Sequence, residues 1–183
     1  MPVVNLQNSQ SWIKKYTVRV LTDCFNIEGF QIFSLINDTL IGVLEGPPNT
    51  AYEDGYFLFQ KKFPLDYVFK PPEFIFITDI FHPNIFNGKV SVDILMNQWS
   101  PAQCCFDKII FSIQSLLDDP NPDDFINENA AKLYKEDKND YDKTVREYTS
   151  LYANYSKFLE DTKKLNIKIK INKKKEFEYI EEK

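Results

Sequence analysis

One stretch of this chain concentrates the side chains that could do chemistry. It runs His82-Pro83-Asn84-Ile85-Phe86-Asn87-Gly88-Lys89-Val90-Ser91-Val92-Asp93-Ile94-Leu95 and continues to Trp99-Ser100-Pro101-Ala102. It offers a hydroxyl at Ser91, a carboxamide at Asn84, a carboxylate at Asp93 and the chain's only imidazole at His82. A serine hydroxyl is a poor nucleophile unless a base sits beside it. His82 lies in a His-Pro-Asn turn with no partner for a catalytic dyad, so it reads as a structural member of that turn. Further carboxylates, Asp118, Asp119, Asp123 and Asp124, stand among prolines, where helix-end and turn roles compete with chemical ones. The three cysteines, Cys24, Cys104 and Cys105, form no disulfide framework. They read as packing residues in a reducing compartment, although a helix starting near Cys104 and Cys105 would give them thiolate character. One His and three scattered Cys are too few for a zinc site, and no glycine-rich phosphate loop is present. No metal or other cofactor is expected.

These residues need a scaffold, and the chain is long enough to supply one. Its 183 residues suit one domain with extensions, and 43% hydrophobic and 15% aromatic content rules out general disorder. A net charge of -5 gives no case for nucleic-acid binding, and no apolar run approaches the roughly 20 residues that span a bilayer. Trp12, Ile13, Tyr16 and Val20 recur at helical spacing within Ser9 to Thr22. Strands are predicted at Phe30–Ile36, Leu40–Glu45 and Gly55–Phe63, joined through Asn37-Asp38 and Gly46-Pro47-Pro48-Asn49. Period-2 alternation puts Phe57, Phe59 and Lys61 on one face of the third, with Tyr56, Leu58 and Gln60 on the other. A fourth strand follows Pro71-Pro72 at Glu73–Thr78. The stretch 79–107 lacks periodicity, and a long loop in a compact domain is usually functional. Residues 106–117 are nearly apolar, as in a buried central helix, and 127–136 and 139–164 read as two further helices, the latter capped by Asn139 or Asp140. The segment Lys163–Lys175 carries seven lysines. Its Ile167, Ile169 and Ile171 alternate as in a strand, so it reads either as a solvated tail or as a strand added to an exposed sheet edge.

Several motifs in this order resemble those of ubiquitin-conjugating enzymes over roughly residues 9–153. The run from His82 to Ala102 is similar to that family's active-site signature, with Ser91 where the nucleophilic Cys is expected. Gly46-Pro47-Pro48-Asn49-Thr50-Ala51-Tyr52-Glu53-Asp54-Gly55 resembles its Gly-Pro-Pro…Tyr-Glu-Gly-Gly turn. Phe63-Pro64-Leu65-Asp66-Tyr67-Val68-Phe69-Lys70-Pro71-Pro72 resembles its Phe-Pro-x-x-Tyr-Pro-Phe-x-Pro-Pro segment. The resemblance implies an α/β (α+β) fold: an N-terminal helix, a four-stranded antiparallel meander, the active-site loop, a central buried helix and C-terminal helices. It divides the chain into an N-terminal extension at 1–8, a core domain at 9–154 and a lysine-rich C-terminal extension at 155–183. The family carries a ubiquitin-like protein as a Cys thioester and passes it to a lysine amine. Asn84 would then hydrogen-bond the oxyanion, a role worth about 2.7–4 kcal/mol where such a donor has been removed, or else brace its own loop. Asp124 would orient and desolvate the lysine, and Asp93 would shape the same pocket. Phe69, Pro101 and Ala102 would meet ligases, although Phe69 could equally be core. Lys14, Lys15 and Arg19 would meet the activating enzyme.

The sequence departs from the pattern at more than position 91. The spacing from His-Pro-Asn to the nucleophile position is one residue short. Val68 stands where Pro is usual, Phe125 follows Asp123-Asp124 where Pro is usual, and Gln103-Cys104-Cys105 holds an extra residue. Drift at several points fits a natural non-catalytic relative, an interaction module or a structural subunit of a larger assembly. An intact His82-Pro83-Asn84 and Asp124 fit an active enzyme altered from Cys to Ser to trap an oxyester. The implied partners are proteins: a ubiquitin-like modifier, the conjugation machinery, or a host complex reached through the C-terminal extension. The chain reads as cytoplasmic or nuclear, while its basic amphipathic start also resembles a mitochondrial targeting segment.

Overall fold

A computed structural model describes residues 5–7, 29–96, 99–100, 106–167, 169–171 and 177–179. The helix expected at 9–22, with Lys14, Lys15 and Arg19, lies outside the described residues, as do Pro101, Ala102 and the three cysteines. The scaffold is a twisted sheet of strands β1 (Asn5–Gln7), β2 (Phe30–Ile36), β3 (Thr39–Glu45), β4 (Tyr56–Lys62), β5 (Glu73–Phe76), β6 (Ile85–Phe86) and β7 (Lys89–Val90). The order is β1-β2-β3-β4-β5-β7-β6; β1 runs parallel to β2, and every other pair is antiparallel. The expected four-stranded meander is β2 to β5, and the sheet is wider than expected by one strand on one edge and two on the other.

The added β6–β7 hairpin falls in the stretch expected to be irregular. Two-residue strands are too short to show periodicity, but their turn is legible. Asn87 and Gly88 have φ of 49° and 75°, the backbone of the two-residue hairpin turn that Asn-Gly favours. A Cβ at position 88 would come within 2.2 Å of the Phe76 carbonyl oxygen, so glycine is required there. A second turn with positive φ at Asn37 and Asp38 joins β2 to β3 where the sequence placed it.

Both faces of the sheet are buried, which is why β3 and β4 carry so little polar surface. On the inner face Phe57, Phe59 and Lys61 lie together as alternation requires, with Leu40, Leu44, Phe74 and Phe76. They pack on Ile109, Ile110, Ile113 and Leu117 of helix α1 (Phe106–Asp118) and on Tyr141 and Val145 of α3 (Lys138–Tyr152), with α2 (Glu128–Glu136) beside them. Lys61 is fully buried, its ammonium over the rings of Phe63 and Tyr67 at 4.9 and 5.7 Å. The central helix is not enclosed on all sides: Phe111 is 53% exposed.

The outer face carries a second, smaller core. Val43 and Leu58 project there and are covered by Phe158 of α4 (Tyr155–Lys164) and by Ile167 just beyond it. Burial of each such side chain is worth about 1.5–3 kcal/mol. The single helix expected over 139–164 is therefore two. It breaks because Ala153 turns its carbonyl to the amide of Tyr56 at 2.7 Å, and Asn154 adopts an extended conformation and caps the amide of Lys157 at 2.9 Å. The cap of α3 is Asp137, which accepts from the amides of both Asn139 and Asp140 at 3.0 Å, not either of the residues first expected. The tail strands Ile169–Ile171 and Phe177–Tyr179 pair antiparallel with each other rather than with an edge of the main sheet. Closing a short hairpin costs little chain entropy, and β1 already occupies the edge beside β2.

Candidate functional site

The turn at residues 82–84 is held from every side. His82 is completely buried between α1 and its own turn. Its Nδ1 accepts from the amide of Asn84 at 2.9 Å, so its proton resides on Nε2, which donates to the carbonyl of Leu116 at 2.8 Å. Burial depresses its pKa from 6.5 to about 4, leaving a neutral imidazole with both nitrogens engaged. The reading of His82 as a structural residue holds.

Asn84 is 2% exposed and joins this turn to the loop after α1. Its Nδ2 donates to the carbonyls of Asn121 and Asp124 at 2.8 and 2.7 Å, and its Oδ1 accepts from the amide of Asn121 at 2.9 Å. The backbone donor at Asn121 fixes which end of the carboxamide is oxygen. Both N–H groups of Asn84 are thus committed to carbonyls, the bracing geometry of the two roles considered for it. Pro83 adds to the seam by accepting from the amides of Ile126 and Asn127, both at 2.9 Å. Tyr52 lies beside the His82 ring, tilted by 39°, and donates from its hydroxyl to the carbonyl of Phe81 at 2.9 Å, while Tyr141 reaches the same hydroxyl at 2.8 Å. Burial raises the pKa of both phenols.

The remaining expected residues are held loosely or stand apart. Ser91 is half-buried at the end of the hairpin, its amide on the carbonyl of Asn84 at 2.9 Å. Its Oγ donates to the sulfur of Met96 at 3.4 Å. Asp93 is exposed and opens a 3-10 turn over Asp93–Leu95. Asp124 is also exposed; what touches Asn84 is its backbone carbonyl, not its carboxylate. Asp123 pairs with Lys135 at 2.7 Å. The site therefore brings Asn84, Ser91 and the backbone of Asp124 together.

Phe69 sits on a separate turn, 79% exposed, so it is not core. Its neighbour Leu65 is 88% exposed. The amides of Phe69 and Lys70 both bond the carbonyl of Asp66, which closes a tight turn that displays Leu65 and Phe69. The Tyr67–Val68 peptide of this turn is cis. Trp99 ties the turn to the site loop, donating from Nε1 to the carbonyl of Val68 at 3.0 Å. Sequence reasoning passed over two residues here. Leu65 gave the signal of a large apolar residue beside a Pro-Asp turn. Asn121 gave the signal of an Asn before Pro, whose side chain closes its own turn by accepting from Asp123 and Asp124.

Comparison with known proteins accounts for this arrangement. A family model described as "Ubiquitin-conjugating enzyme" matches residues 26–149. Among solved structures, the E2 domain of a Toxoplasma gondii ubiquitin conjugating enzyme superposes with a TM-score of 0.69 at 32% identity. The match covers 77% of this chain and 99% of that one. With its meander, its buried His-Pro-Asn turn and its central helix, the chain belongs to the ubiquitin-conjugating enzyme family.

Proposed function

We propose that this chain is a non-catalytic, protein-binding member of its family, an interaction module or structural subunit that carries no acyl group on residue 91. One observation carries the reading: the chain's only imidazole is spent inside the core, and Ser91 Oγ faces the thioether of Met96. Among the described residues no base bonds that hydroxyl to activate it. The exposed Leu65 and Phe69 support a binding role, since large apolar side chains displayed in pairs serve contact better than folding. Incubation with an activating enzyme, ATP and ubiquitin is expected to yield no adduct on a denaturing gel. A ubiquitin-sized adduct cleaved by thiol would overturn the proposal and direct attention to Cys104 and Cys105. An adduct resistant to thiol but cleaved by hydroxide would place an oxyester on Ser91 and overturn it too.

A second reading, an enzyme whose Cys became Ser91 to trap an oxyester, is equally compatible with the complete Asn84 brace, with its three bonds of 2.9 Å or shorter. Ser91→Cys separates the two: restored charging supports the trap, and failure with an activating enzyme active on a control supports natural loss.

A further inference from the structure

The helix α4 lies beyond the residues matched by the family, which end at 149, and it covers a sheet face that the matched portion would leave open. We propose that α4 is a detachable strap: an amphipathic helix docked on the outer face of the sheet that opens as a unit while the rest of the fold stays intact. While docked, it closes Val43 and Leu58 to any other partner. The inference is independent of what Ser91 does.

The first support is that α4 is complete by itself. Asn154 supplies its N-cap. At its far end Asn166 turns to a φ of 55°, its amide bonds the carbonyl of Lys163 at 3.0 Å, and the amide of Ile167 bonds that of Thr162 at 2.8 Å. Those two bonds and the left-handed residue make a full Schellman stop, which folds Ile167 back onto the sheet. On its solvent side Lys157 and Lys164 each pair with Glu160 and Asp161 at 2.7–3.4 Å. The helix therefore closes both of its own ends and pairs its charges without help from the sheet.

The second support is how it is attached. Helix α1 is tied to the core by the bond from His82 to Leu116, and α3 by the buried hydroxyl pair of Tyr52 and Tyr141. The contact of α4 is a strip of side chains: Phe158, Leu159, Leu165 and Ile167 against Ile41, Val43, Tyr56, Leu58 and Ile77. An apolar strip can separate without leaving broken buried hydrogen bonds behind. The joint is short, with Ala153 pinned to Tyr56 and Asn154 extended, so the helix has a defined point about which to leave.

Native-state hydrogen exchange on the full chain tests this. The amides of Phe158 to Ile167 are expected to exchange at least about tenfold faster than those of β3 and β4, through an opening with its own, smaller urea dependence. Phe158→Asp is expected to speed exchange across α4 by a further tenfold or more and to raise binding of an apolar dye, with β3 and β4 still protected. The proposal is overturned if α4 exchanges through the same opening as β3 and β4 in the natural chain. It is equally overturned if Phe158→Asp unfolds the sheet along with the helix.

Discussion

The two halves of the site are built to different standards. The turn at His82 to Asn84 is buried and spends every polar group of both side chains on bonds of 2.9 Å or shorter. Seven residues later Ser91 is half-buried, and its side chain makes one 3.4 Å contact to a sulfur. The same stretch thus contains a tightly held part and a loosely held part, and they answer to different demands. The loop of Asn121 and Asp124 needs Asn84 whatever stands at position 91, since without it three part-buried backbone groups lose their partners. That accounts for an intact His-Pro-Asn turn whatever residue 91 does.

The contrast can be broken most directly at Asn84. Asn84→Ala is expected to destabilise the fold by about 2–4 kcal/mol, because it strands the Asn121 amide and the carbonyls of Asn121 and Asp124. Urea unfolding measures this, and a loss under 1 kcal/mol would mean that the loop does not depend on its brace. Acid probes His82 next. Folded His82 takes up its proton only near pH 4, whereas the unfolded chain does so near 6.5, so between these values the unfolded state binds more protons. Its contribution to stability is complete above about pH 6.5 and falls as pH drops towards 4, by roughly 3 kcal/mol in total. Unfolding midpoints across that window, with the imidazole followed by NMR, check both the size and the sign. Ser91 sits at the other extreme: Ser91→Ala and Ser91→Cys are each expected to change stability by less than about 0.5 kcal/mol. A larger loss on Ser91→Ala would show that the hydroxyl has a structural role and would weaken the comparison.

Much of this was legible in the chain. Strand β2 was placed to the residue by its apolar run and the Asn37-Asp38 turn, and alternation assigned Phe57, Phe59 and Lys61 to one face correctly. What stayed hidden depended on distant partners. The break at Ala153 is set by the amide of Tyr56, nearly a hundred residues away, while local pattern favoured one continuous helix. That the Asn84 carboxamide bonds the backbone of Asn121 and Asp124 is something no spacing rule reports. The β6–β7 hairpin could have been found from Asn87-Gly88, but flanking strands of two residues gave periodicity nothing to confirm.

The isolation of His82 makes it an internal reporter. Its ring is the only histidine signal the chain can give in a proton spectrum, and in the native molecule that signal stays fixed through the neutral range. Any imidazole resonance that shifts between pH 6 and 7 must come from molecules in which the turn has come apart. The same tube that follows partner binding could therefore count its own misfolded fraction, without a label.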